Sequence, residues 1–158
     1  MRTVHIFVYS TITGRAAAGA GGYVLALDKD GRPDDLTAVK DIFALEDTTG
    51  IRAQLQIITK AVERITEQVS LHVWTEIPLI ASAVRMGWID KWTAAGFEGV
   101  KNAEEWQRLI TMFEGVGMDI HRTEWHIGEP HPYRGWLSWE CRRIKDRLKS
   151  RKEGQRKP

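Results

Sequence analysis

The chain has 158 residues, 42% of them hydrophobic, and a formal net charge of +2. That length suits one compact domain with a single core, since domains most often run to about 100–150 residues. A lone cysteine, Cys141, excludes an internal disulfide, argues against a thiolate metal site and fits a reducing compartment. Met1 to Ser10 lacks a signal-peptide segment and no later apolar run is long enough for a bilayer, so the expected location is the cytoplasm.

The small net charge hides an uneven distribution. Arg142 to Pro158 carries nine Lys or Arg against Asp146 and Glu153, a local charge of +7, and the rest of the chain is −5.

Val4 to Tyr9 alternates with a period of two and predicts a first strand; Gly21 to Leu27 predicts a second, antiparallel to it. The Gly/Ala-rich stretch Gly14 to Gly22, which leads into the second strand, reads as a flexible turn. It is not a phosphate cradle, because no Gly-Lys-Ser/Thr follows and the next element is a strand. After a turn rich in Asp, Gly and Pro (Asp28 to Asp35), Val39 to Leu45 predicts a third strand, broken at Thr48-Thr49-Gly50.

From Ile51 to Val69 the residues Ile51, Leu55, Ile58, Val62 and Ile65 recur at spacings of three and four, an amphipathic helix with one core-facing stripe. Ser70 to Trp74 predicts a fourth strand running into Thr75-Glu76. Pro78 suits the first turn of another helix, where a missing amide costs nothing, and that helix should end near Gly87. A helical turn is expected over Trp88 to Trp92, a loop over Gly96 to Gly99, and a helix capped by Asn102 and reaching Phe113. Met118 to Trp125 predicts a fifth strand. Beyond the loop Gly128 to Pro132, the stripe Leu137, Cys141, Ile144 and Leu148 predicts a last helix. The domain should therefore span residues 1–149, with a basic tail over 150–158 that frays for want of apolar residues to bury. Strands linked by helical crossovers pair in parallel and those linked by turns antiparallel, so the expected fold class is α/β, a mixed sheet with helices on both faces.

Over residues 3 to 149 the chain resembles type 1 ribonuclease H. The resemblance is carried by Ile6-Phe7, Gly21-Gly22-Tyr23, Arg52-Ala53-Gln54-Leu55, Trp74-Thr75-Glu76, Trp88-Ile89-Asp90-Lys91-Trp92, Lys101-Asn102 with Trp106-Gln107-Arg108-Leu109, and Glu124-Trp125 with Gly128. It implies a ribonuclease H-like, five-stranded mixed sheet of order 3-2-1-4-5. It also implies magnesium-dependent cleavage of RNA in RNA–DNA hybrids.

The resemblance places the family's four catalytic acids on Tyr9, Gln54, Glu76 and Ser138, of which only Glu76 is acidic. Glu140 lies two residues past Ser138, about 200° around the helix, and should point elsewhere. Two doubly charged ions at 4 Å repel by roughly 16 kcal/mol at an effective dielectric of 20. A phenol, an amide and a hydroxyl beside one carboxylate leave that repulsion largely uncompensated. In the family, small polar residues before the first helix and after the fourth strand touch the minor groove. Here Gly50, Ile51, Ile77 and Pro78 stand there, and the family's basic protrusion shrinks to Thr93 to Gly99.

The expected function is thus a catalytically impaired, ribonuclease H-like nucleic-acid-binding module, a pseudoenzyme with no cofactor. Arg52, Lys101, Arg142, Arg143, Lys145, Arg147 and Lys149 are its candidate phosphate contacts, giving sequence-independent, salt-sensitive attraction to hybrid, duplex or single strand. A divergent magnesium ribonuclease is the enzymatic alternative. Glu76 would be its metal ligand, although an acid favoured by the dipole at a helix start is the simpler reading; Glu129, Glu140, Glu46 or Asp47 would rebuild the site, and Glu129 or His131 would transfer protons. A protein-interaction module using Trp136 or Trp139 is the third reading, with whichever of the two lies off the Leu137–Cys141–Ile144 stripe exposed. Glu124, His126, Glu129 and His131 gather near the fifth strand's end and could hold one zinc, but strand alternation and two prolines scatter them, and solvated loop residues are the simpler reading.

Overall fold

The computed structural model describes residues 1–156, with side-chain environments through Arg151. Six strands and five α-helices follow one another as β1 (Thr3–Ser10), β2 (Arg15–Lys29), β3 (Arg32–Pro33), β4 (Val39–Thr49), α1 (Gly50–Val62), β5 (Ser70–Thr75), α2 (Pro78–Arg85), α3 (Trp88–Ala94), α4 (Ala103–Gly115), β6 (Glu124–Ile127) and α5 (Arg134–Arg156). Leaving aside the two-residue β3, the strands lie in the order β4-β2-β1-β5-β6. The pairs β1/β2 and β2/β4 are antiparallel, and β1/β5 and β5/β6 parallel. This is the expected 3-2-1-4-5 arrangement.

β1 is buried on both faces because it is central. Val4, Ile6 and Val8 join the larger core with Leu55, Ile58 and Val62 of α1 and Leu109 and Phe113 of α4. Phe7, on the opposite face, packs with Val24, Tyr133 and Leu137 at the start of α5. The stripes expected in α1 and α5 thus face the two sides of one sheet, and at about 25 cal/mol per Å² this double burial supplies most of the favourable free energy of folding.

Several boundaries differ from the sequence reading, each for a local reason. The Gly/Ala-rich stretch is strand, not turn: β2 starts at Arg15 and pairs with β4 from Arg15↔Thr49 onward. Small residues are used there because neighbours come close. A Cβ on Gly21 would sit 2.5 Å from Ile57 Cδ1, and one on Gly22 would sit 2.4 Å from the Asp41 carbonyl oxygen. α1 stops at Val62, where the Arg64 and Ile65 amides bond back to the Ala61 and Val62 carbonyls, although Ile65 and Val69 stay buried in the connection.

The fifth main strand begins at Glu124 rather than Met118, since Asp119 Oδ1 accepts from the His121 amide and starts a 3-10 turn over Ile120–Arg122. Asn102 precedes α4 as expected, but with φ 58° and no side-chain capping bond. The segment after α3 is short: Gly96, Phe97 and Gly99 adopt positive φ and turn the chain toward α4. α5 continues through Arg156, so the backbone remains helical past Ser150, where fraying was expected. Lys157 and Pro158, the end of the expected tail, lie outside the described residues.

Candidate functional site

The parallel register of β1 and β5 runs from Thr3↔Ser70 to Phe7↔Trp74. Continued by two residues, it sets Tyr9 beside Glu76 at the carboxyl ends of the two central strands, where a sheet of this topology opens a crevice. Gln54 enters from α1. Buried to 3% exposure, it accepts a 2.8 Å hydrogen bond at Oε1 from the Thr75 hydroxyl, which in turn accepts from the Ile77 amide at 3.1 Å. Its amide oxygen therefore organises the β5–α2 turn.

Ser138, half-buried, follows the fully buried Leu137 of α5. One turn earlier on the same helix face stands Arg134, a residue the sequence reading did not single out, and its guanidinium is ion-paired with Glu76. Residues four apart on a helix are neighbours, so the face of α5 that carries Ser138 also presents a cation to Glu76. By residue type the four aligned positions offer a phenol, an amide, a hydroxyl and one carboxylate, the amide engaged by Thr75 and the carboxylate paired with Arg134. Magnesium takes oxygen ligands and, in paired sites, several carboxylates. This donor set does not fit the two-ion centre that the sequence resemblance implies.

The acids considered for rebuilding that centre are engaged or distant in role. Glu129 accepts a 2.8 Å hydrogen bond from His126 Nδ1. Glu140 pairs with Arg143 at 3.3 Å, and Glu46 and Asp47 are exposed at the end of β4. His131 lies against the Phe7 ring, with centroids 4.6 Å apart, and its Nδ1 accepts from the Tyr133 amide at 3.2 Å. Burial holds its pKa down to about 4, so near neutral pH it is an uncharged acceptor that fixes the loop before α5. Burial, with help from the bond it donates to Asp35, raises the Tyr133 phenol to about 12.

Among the candidate phosphate contacts, Arg52 is tied to the buried Glu105 by a 2.7 Å bond, which makes it an anchor between α1 and α4. Lys101 is exposed at the turn before α4. From Arg142 to Arg151 no residue of α5 is buried, and the exposed Arg142, Arg143, Lys145, Arg147, Lys149 and Arg151 share that stretch with one acid, Asp146, while Arg143 also pairs with Glu140 of the preceding turn. Arg142, Lys145 and Lys149 share one helix face by their spacing. Of the two tryptophans weighed as contact residues, Trp139 is 67% exposed and Trp136 packs under Lys40, whose ammonium lies 5.0 Å from the ring centre.

A second group of polar side chains occupies the α5-side face of β1, β5 and β6, beyond the part α5 covers. His5 Nδ1 accepts from Trp74 Nε1 at 3.2 Å. Because an indole N–H only donates, the His5 proton is on Nε2, which donates to Asp28 Oδ1 at 2.7 Å. That bond holds the Asp28 carboxyl below the ordinary range. Next to it, His72 and His126 meet at 2.8 Å, and burial lowers the His72 pKa. Of the four residues suggested for zinc, the structure keeps Glu124 and His126 together, places Glu129 behind His126 and turns His131 away.

The strand order and the placement of the helices are those of the ribonuclease H-like fold. No family model matches the chain. In sequence it is similar to curated ribonucleases H: 26% identical to that of Desulforamulus reducens over 117 residues, 71% of this chain and 70% of that one, and 24% identical to that of Oleidesulfovibrio alaskensis over 135 residues, 82% and 83% of the two chains. Among solved structures it is similar to LC9-RNase H1, described as a type 1 RNase H with the type 2 active-site motif, at a TM-score of 0.65 and 15% identity over 92% of this chain and 73% of that one. It is also similar to a foamy viral protease-reverse transcriptase solved in complex with RNA/DNA hybrid, at a TM-score of 0.54 and 11% identity over 89% of this chain and 19% of that one. The chain thus has the ribonuclease H fold and resembles the type 1 enzymes. Among the described residues no helix is long and apolar enough to cross a membrane.

Proposed function

We propose that this protein binds nucleic acid on a ribonuclease H scaffold without cutting it by the two-metal route. The observation that carries the reading is the ion pair between Glu76 and Arg134: the one acid retained at the four catalytic positions is already matched by a cation from α5. Two dications would then meet almost no net negative charge against a mutual repulsion of roughly 16 kcal/mol at 4 Å. Binding is supported by the exposed cations of α5, whose attraction for phosphates needs no particular sequence. The relatives named ribonuclease H and the hybrid-bound structural neighbour make an RNA–DNA hybrid the first ligand to test.

The direct test is incubation of the purified chain with labelled hybrid in magnesium and then manganese. Retention of the hybrid on the protein with no strand scission is expected. Scission that Glu76→Gln abolishes would overturn the reading in favour of a divergent ribonuclease.

A further inference from the structure

β5 and β6 lie side by side in parallel with His72 opposite Glu124 and Trp74 opposite His126. Since side chains on a strand alternate, positions 72, 124 and 126 all point to the same face. There His72 Nδ1 is 2.8 Å from His126 Nε2 and 3.4 Å from Glu124 Oε2. One ligand atom from each of the three lies within 4.8 Å of the others. Both histidines are only partly exposed and Glu124 is largely exposed, so the group opens to solvent on one side.

Two features orient the His126 imidazole for coordination. His126 lies flat on the Trp74 indole, with centroids 3.9 Å apart and planes within 10°, and its Nδ1–H donates to Glu129 Oε2. That bond leaves the Nε2 lone pair pointing at His72. A carboxylate behind a histidine, fixing its tautomer, is the usual outer partner of a metal-bound imidazole. Without metal, the His72 Nδ1–H donates to His126 Nε2. If that proton resides on His72 Nε2 instead, both facing nitrogens offer lone pairs to one ion.

We propose that His72, His126 and Glu124 form a site for one zinc-class dication, oriented by Glu129 and left open at a fourth position for solvent. Two imidazoles and a carboxylate are a zinc donor set, whereas magnesium and calcium require oxygen. Tetrahedral ligands at zinc bond lengths stand roughly 3.3 Å apart, so the rings need part by only about half an ångström. The ion would clamp the four-residue edge strand β6 to β5. This inference does not depend on the nucleic-acid reading, because none of its residues belongs to the Glu76–Arg134 pair or to α5.

The test is equilibrium dialysis of untagged, chelator-treated full chain against zinc in excess magnesium, with cobalt absorption reporting coordination geometry. One zinc per chain is expected, with a tetrahedral cobalt spectrum and a rise in melting temperature. His72→Gln and His126→Gln should each abolish all three signals. Glu129→Gln should weaken binding by about 10–100-fold, and His121→Ala, remote beside Asp90, should change nothing. Circular dichroism of each metal-free variant establishes that it is folded. Substoichiometric zinc, displacement by magnesium, or binding that both histidine variants leave intact would overturn the proposal.

Discussion

Replacing Arg142, Lys145 and Lys149 together with glutamine tests the nucleic-acid reading quantitatively. The three cations are exposed, lie on one face of α5 and span seven residues, about 10 Å at 1.5 Å per residue. A duplex presents one phosphate charge per about 1.7 Å of axis, so three contacts fit that span. Each neutralised phosphate contributes about 0.9 to the slope of log affinity against log salt, and the triple variant should therefore lose about 2.7 from the slope on duplex or hybrid. Between 50 and 200 mM salt the wild type should lose about 40-fold more affinity than the variant by the same relation. Fluorescence anisotropy of a labelled hybrid across that range measures both quantities. Arg52→Gln supplies the contrast: its guanidinium is held by Glu105, so the slope should change by less than about 0.3 while stability falls. Equal slopes for the wild type and the triple variant would refute the assignment of α5 as the phosphate-contacting surface.

Two further outcomes concern the scaffold. Gly22→Ala should cost about 1–3 kcal/mol in urea unfolding, because its Cβ would meet backbone at the Asp41 carbonyl; an unchanged midpoint would mean that β2 and β4 can separate freely. His131 has a depressed folded pKa of about 4, so the stability it contributes is present above its ordinary value near 6.5 and is lost as pH falls toward 4. The shift corresponds to on the order of 3 kcal/mol at most, and His131→Gln should flatten the stability profile between those pH values. A profile identical to the wild type would place the acid sensitivity elsewhere.

Much of the architecture was legible because it rests on periodicity. Leu55, Ile58 and Val62 announced the inner face of α1, Leu137 and Cys141 that of α5, and the alternation of β1 its place between them. The Gly/Ala run misled because small residues mark both loops and strands crossed closely by a helix, and only Ile57 and Asp41, distant in sequence, distinguish the two. Asp119 similarly competed with the backbone and delayed β6. At the candidate site, the missing acids could be read directly once the resemblance was aligned. Arg134 could not, since its significance depends on Glu76 at the end of another element, although its position four residues before Ser138 was a usable clue. His72 was overlooked for the same reason: only parallel pairing of β5 with β6 sets it against Glu124 and His126, while a nearby sequence neighbour, His131, turns into the Phe7 contact instead.

On the proposed reading, the crevice between β1 and β5 lacks the negative charge to hold two divalent ions. A crystal of the protein soaked in millimolar manganese and measured for anomalous scattering addresses this most directly. No pair of peaks is expected at Glu76, and the carboxylate should remain against Arg134. Two manganese peaks about 4 Å apart beside Glu76, with Arg134 swung away, would contradict the account.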